Sequence, residues 1–365
     1  MGPRRTEARD SVDAGAQVLR PPLPPGAHAA RRRAGFVAAA VVLVGVLAAA
    51  LNLAIGSGGS GSHVQGNSVA AVDPKNGRIP AKIDVGAEPR ALTLASDSLW
   101  VANTSDRTVS RIDARTGQPA GTIPLEHDAY PSDLAAAARA VWIVNGPQGR
   151  LLRIDPKVDD VSDTKVAVPG CGGPQASLAA GGGSLWLACF LLPSAYRIDP
   201  ETRRVTPFAR RAGLLTSTSP KVVPHLSAIA YGAGIVWVAD AAQNLVVGVD
   251  PSTLEPVRRL AVGVRPVAIA IGYGAVWVAN AGDGTVSRIP ITRGRAPGVH
   301  SLRVGGSPVA VAAGEGGVWV ANAATRSLLE LSPRTGRVVR RMPLGNPPAD
   351  VVAGGGYVWA SVDSP

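Results

Sequence analysis

Seven tryptophans, Trp100, Trp142, Trp186, Trp237, Trp277, Trp319 and Trp359, are all the tryptophan in this chain. Each stands in the same local phrase: LWVAN, VWIVN, LWLAC, VWVAD, VWVAN, VWVAN and VWASV. Successive spacings are 42, 44, 51, 40, 42 and 40 residues. A steady period near 40 with a tryptophan on a β-prone run fits a unit of four short strands that gains its core only by stacking on its neighbours. Helical repeats of similar period need apolar residues at 3.6-residue spacing, and no such stretch follows residue 56.

Each unit reads as four runs. Run A follows a proline, as in VAIAI after Pro266; run B carries the tryptophan; run C resembles TVSRID; run D resembles RVVRRMPLG. Between C and D a turn recurs as DPKNG, DARTG, DPETR, DPSTL and SPRTG, where Asp bonds its own backbone and Pro presets φ. The two ends decide the architecture. Residues 67–86 open with C and D runs that lack A and B, and residues 348–362 close with A and B runs that lack C and D. Paired as one sheet, they join the first and last strands and remove exposed edges. The expectation is an all-β, seven-bladed β-propeller with 2+2 strand closure over residues 67–365.

Counting back from each tryptophan separates the faces of run A. Eight residues before it stand Leu92, Leu134, Leu178, Ile229, Ile269, Val311 and Val351, all bulky and apolar. Nine before it stand Ala91, Asp133, Ser177, Ala228, Ala268, Ala310 and Asp350, small or acidic. A period of two puts these columns on opposite faces. Asp133 and Asp350 belong to the units on either side of the one that starts with Arg90, so an Asp–Arg–Asp cluster is expected near the axis, as an internal ion pair or as a ligand site. Tyr130 and His225 precede run A in their own units and reach the same rim. The candidate ligand-binding set is therefore Arg90, Tyr130, Asp133, Ser177, His225 and Asp350. Asn103, Asn145, Asp240, Asn280 and Asn322 end run B, where side-chain to backbone hydrogen bonds stabilise turns.

The amino-terminal part has a different character. Ala34 to Gly56 is a run of 23 residues without a charge, which as a helix spans about 34 Å against a bilayer core of about 30 Å. Arg31, Arg32 and Arg33 precede it, so the positive-inside bias keeps residues 1–33 cytoplasmic. The run exceeds the apolar region of a cleaved signal peptide. Four segments result: a disordered, proline-rich cytoplasmic arm (1–33), one transmembrane helix (34–56), a Gly/Ser linker (57–66) and the propeller outside the membrane (67–365). That topology predicts a single-pass protein of the cell membrane.

The chain carries a formal net charge of +11, and paired arginines such as Arg203, Arg258 and Arg340 fall on outer turns or run D, where charge discourages edge-to-edge association. The chain's two cysteines, Cys171 and Cys189, stand where the start of run A meets the end of run B in one unit. In an oxidising exterior they are expected to form a disulfide. Five histidines without a metal-binding pattern, and no phosphate loop or nucleophile elbow, give no catalytic residue, no metal site and no cofactor to name. No nucleic acid is expected as a partner.

WVANTSDRTVSRIDARTGQPAGTIPL resembles the YVTN family of β-propellers, and the likeness extends over residues 67–365. The repeats are also similar to those of the streptogramin B (virginiamycin B) lyases, seven-bladed propellers with one tryptophan per blade. The lyase resemblance implies a metal-assisted site built from a His and a Glu-x-His pair; in this chain no Glu is followed two residues later by His, and Glu126 is followed directly by His127. These readings favour a membrane-anchored propeller that binds or scaffolds a small molecule, glycan or protein. The alternatives are a lyase- or lactonase-like enzyme with an axial site, and a sensor ectodomain serving a separate cytoplasmic chain.

Overall fold

The structure is a computed structural model that describes residues 63–146, 149–171, 176–216, 222–292 and 298–364. The expected cytoplasmic arm and transmembrane helix, with the linker up to residue 62, lie outside the described residues. Among the described residues no helix is long and apolar enough to cross a membrane.

Seven four-stranded antiparallel sheets make up the rest. Their innermost strands, A of blades 1 to 7, are Pro89–Ala95, Pro131–Ala137, Ala176–Gly181, Leu226–Gly232, Pro266–Gly272, Pro308–Gly314 and Pro348–Gly354. Each pairs with the tryptophan strand B that follows it. Neighbouring A strands lie against one another all round, from blade 1 to 2 and onward until blade 7 meets blade 1. In blade 7 the order is Pro348–Gly354, Tyr357–Val362, Ser68–Val72, Ala81–Asp84, so the 2+2 closure is present. Ser68 is opposite Val362 and Val72 opposite Val358. The packed chain begins a little earlier than the repeat suggests: Val64 is fully buried and its amide donates to Leu344 O at 2.6 Å.

The core lies between blades. The tryptophans are 0–1% exposed. Trp359 clusters with Leu92, Leu99 and Val101 of blade 1, Trp100 with Leu134, Val141 and Ile143 of blade 2, and Trp142 with Leu178, Leu185 and Leu187 of blade 3. Trp186, Trp277 and Trp319 repeat the arrangement on Ile229, Val311 and Val351. The bulky column eight residues before each tryptophan is thus the surface that receives the preceding blade's indole. Six of the indole N–H groups donate to the carbonyl five residues earlier, at the end of strand A, at 2.9–3.2 Å. In those six, ring and polar tip are both satisfied, while the Trp237 indole N–H is buried without an acceptor among the described residues. That strand end must be small, because a Cβ added at Gly232 would sit 2.7 Å from Ile271 of the next blade.

Cys171 and Cys189 form the expected disulfide, with Cα atoms 4.8 Å apart, inside the cluster shared by blades 2 and 3. Strand D of blade 3 is only Val205–Pro207, and the chain then turns through 208–215; Arg210 lies in those turns. The extra turns account for the longest tryptophan spacing.

Removing residues 67–86 would strip blade 7 of Ser68–Val72 and Ala81–Asp84 and expose the edge of Tyr357–Val362. The shortened protein should aggregate and lose its single cooperative melting transition in calorimetry. Melting like the intact chain would contradict closure through these strands.

Candidate functional site

Six of the seven A strands carry a β-bulge after their first residue: register shifts fall between Pro89 and Ala91, Pro131 and Asp133, Leu226 and Ala228, Pro266 and Ala268, Pro308 and Ala310, and Pro348 and Asp350. Five of those strands open on proline, which has no N–H to give the ladder. The extra residue leaves the pairing and its side chain is re-aimed. These are Arg90, Ser132, Ser227, Val267, Val309 and Ala349, and with Ala176 of blade 3 they contribute one wall residue from each blade to a single cavity of about 560 Å³. The size suits a small organic molecule. Phe190, His225, Ala241, Arg265 and Pro348 complete the described lining.

A second ring of residues sits two positions earlier and forms the rim. Tyr130, His225 and Ser307 are held there by their backbone amides, which donate to Asn145, Asp240 and Asn322 Oδ1 at 2.9–3.1 Å. Asn145, Asp240 and Asn322 therefore do stabilise turns from the end of strand B. In blades 1 and 5 the rim residue is Glu88 or Arg265; both have left-handed backbone (φ 56° and 53°), and their amides donate to Asn67 and Asn244 Oδ1 of the preceding blade. Asn103 and Asn280 of those two blades turn inward instead and donate to Thr108 and Ser110, and to Thr285 and Ser287.

The six candidate residues separate into two groups. Arg90 and His225 line the cavity. Tyr130 occupies the rim, its amide held by Asn145. His225 packs on Phe190 with ring centroids 4.6 Å apart. Asp133, Ser177 and Asp350 instead latch neighbouring blades: Asp350 Oδ2 accepts from Leu92 N at 2.8 Å, Asp133 Oδ2 from Leu178 N at 2.7 Å, and Ser177 Oγ from Ile229 N at 3.2 Å. The other oxygen of each aspartate accepts from the amide of the next residue, Val351 or Leu134. Arg90's ion pair is with Glu88, at 2.8 Å, so the expected Asp–Arg–Asp ion pair is replaced by amide latches. The bulge explains the difference, because it turns Arg90 and the column of the aspartates to different surroundings.

Burial between adjacent inner strands pushes the Asp133 and Asp350 carboxyls up to about 7, against the amide bonds that favour the charged form. Asp350's charge raises Asp133 further. No group of three or more metal-binding side chains occurs among the described residues.

No family model and no curated protein matches the sequence. Solved structures do match in fold. Virginiamycin B lyase from Staphylococcus aureus superposes with a TM-score of 0.61 at 15% identity, covering 74% of this chain and 94% of that one. A catalytically inactive variant of that lyase, solved with quinupristin, gives 0.62 at 14% identity, covering 80% and 98%. AztD from Citrobacter koseri gives 0.59 at 13% identity, covering 81% and 99%. The shared property is the propeller architecture.

An aspartate titrates near 3.8 when unfolded and near about 7 in the ring. The native state then holds protons that the unfolded chain releases between those values, so stability declines as pH rises from about 4 toward about 7 and levels above that. Half-buried turn carboxylates such as Asp113, Asp199 and Asp250, held by hydrogen bonds from their turns, lie below their ordinary value and act in the opposite sense, at lower pH. Denaturant unfolding across pH 5 to 7 should show the decline, and the Asp133→Asn, Asp350→Asn double variant should flatten it. An unchanged slope in that variant would remove these carboxyls as its source.

Proposed function

We propose that this chain is a membrane-tethered, extracytoplasmic binding propeller that takes a small ligand at the mouth of its ring. The observation that carries this reading is the cavity to which all seven blades contribute one side chain at the same repeat position. A column that builds architecture stays uniform, as the bulky column against the tryptophans does; this one runs Arg, Ser, Ala, Ser, Val, Val, Ala. Mixed chemistry converging on one space is the signature of recognition. Placement outside the membrane rests on the uncharged run 34–56 behind an arginine cluster, and the Cys171–Cys189 disulfide suits an oxidising exterior. Binding without catalysis is favoured over lyase chemistry because the Glu-x-His pair of that family has no counterpart in the sequence. Shared fold with a lyase does not carry its reaction across.

Ala349→Trp would fill the mouth from blade 7 without touching the latches or the core between blades. A compound found to stabilise the intact protein in a thermal-shift screen should no longer do so in this variant, while its unliganded melting stays close to that of the intact protein. Stabilisation that persists would place binding elsewhere. Separately, protease added to intact cells should remove the propeller from an amino-terminally detected band; full protection would refute the outward orientation.

A further inference from the structure

Two arginines line the mouth, and their surroundings differ. Arg90 donates to Glu88 at 2.8 Å, and Asp363 adds to the negative field around it, so its charge is already answered. Arg265 stands on the other side of the ring, between blades 4 and 5. It is exposed, and its guanidinium has no hydrogen bond or ion pair among the described residues. Its backbone is fixed all the same: the left-handed conformation at φ 53° and the bond from its amide to Asn244 Oδ1 at 2.8 Å set where the side chain leaves the chain. An L-residue adopts that conformation at a cost, and such positions recur where a side chain must be presented.

Beside Arg265 the wall is apolar. Val267 and Val309 continue from it along blades 5 and 6, and Phe190, its ring tilted at 38° against that of His225, faces the same cavity from blades 3 and 4. Phe190 departs from the repeat, since the residue four after the tryptophan is Thr104, Gly146, Ala241, Ala281, Ala323 or Asp363 in the other blades. The cavity lining therefore joins one unanswered cation to an aromatic and aliphatic surface. Around blade 1, by contrast, the carboxylates of Glu88 and Asp363 outnumber Arg90, and Asp350 and Asp133 lie just beyond.

We infer that the mouth selects a small organic monoanion with an aromatic or bulky apolar body, its carboxylate on Arg265 and its ring against Phe190 and the Val267–Val309 wall. This rests on the binding role proposed for the same cavity and names the ligand class. A fork of N–H donors matches a carboxylate, and a charge-assisted bond at the edge of an apolar pocket fixes orientation. The acidic side of the ring works against a second carboxylate at the far end of the ligand.

Titration calorimetry on the full-length protein in detergent, at constant ionic strength, tests this with phenylacetate, phenethylamine and terephthalate as probes. Phenylacetate should bind, and more tightly than either of the others. Arg265→Gln should weaken it by about tenfold to a hundredfold, Phe190→Ala should also weaken it, and Arg90→Gln should change it by less than either. Thermal melting of each variant checks that the fold is intact, as expected for an exposed rim position. Phenethylamine or terephthalate binding more tightly, or phenylacetate binding unchanged in Arg265→Gln, would overturn the monoanion assignment. If that binding is still abolished by Ala349→Trp, the mouth remains the site and only the ligand class falls. Binding of none of the three probes overturns the assignment as well, and a wider screen in which Ala349→Trp alters nothing removes the binding role itself.

Discussion

Each blade leaves its tryptophan without a complete surrounding, and the next blade supplies the missing side. Trp100 needs Leu134 and Ile143; Trp359 needs Leu92 and Val101. A lone four-stranded sheet would expose that indole to water, and burying an aromatic of this size contributes about 2–3 kcal/mol by transfer estimates. Seven such dependencies in a circle can be met only if the circle closes. This is why blade 7 is assembled from both ends of the propeller: Ala71 lies opposite Trp359, and Val69, Ala71 and Trp359 share the cluster that buries Leu92. Closure is therefore a packing requirement before it is a hydrogen-bonding one.

A core placed between blades leaves the axis free of that duty. Strand A needs one face for the preceding tryptophan and one edge for strand B, while its other edge points inward with amides that strand B does not take. Where column nine is alanine, the next blade's amide receives nothing from it. Where it is aspartate or serine, the side chain reaches across to that amide, as from Asp350 to Leu92 and from Asp133 to Leu178. In six of the seven blades the bulge then frees one residue from both duties, and the variety of the mouth follows from that freedom. The architecture and the cavity wall thus occupy adjacent residues in the same strand.

The fold was legible because its causes repeat. A tryptophan at a steady interval, half-units at the two ends and a uniformly bulky column express the same interblade contact seven times, and the disulfide followed from strands A and B being antiparallel. The site was legible only in part. Period-two alternation assigns column nine to the axis, which led to Asp133 and Asp350, but the bulge breaks that alternation and gives the cavity wall to column ten. The proline at the head of strand A was the available signal, since a residue without an N–H invites an irregular first pairing. Arg265 was missed for a different reason: a positive φ on an arginine, and an asparagine 21 residues earlier that bonds its amide, cannot be read from residue types alone. Phe190 was visible as a departure from the repeat, and its meaning appeared only once its ring was seen against His225.

Blade 1 shows how these layers meet. Leu92 buries its side chain with Trp359 of blade 7 and gives its amide to Asp350 of the same blade, so one residue joins the ring's seam through both an apolar and a polar contact. Two residues before it, Arg90 faces the cavity and is held by Glu88, which also accepts from Ser105 at 2.6 Å. The seam and the mouth are therefore three positions of one strand. A carboxyl raised to about 7 in that seam makes its latch sensitive to the charge nearby, because Asp350 is stabilised as an anion by its amides and destabilised by burial. A cation brought to this side of the ring favours the ionised latch and an anion favours the protonated one. An anion held on the opposite side, at Arg265, disturbs it less because the interaction weakens with distance and with the water between. The acidic seam and the cationic rim are thus best kept apart, and the ring places them on different blades.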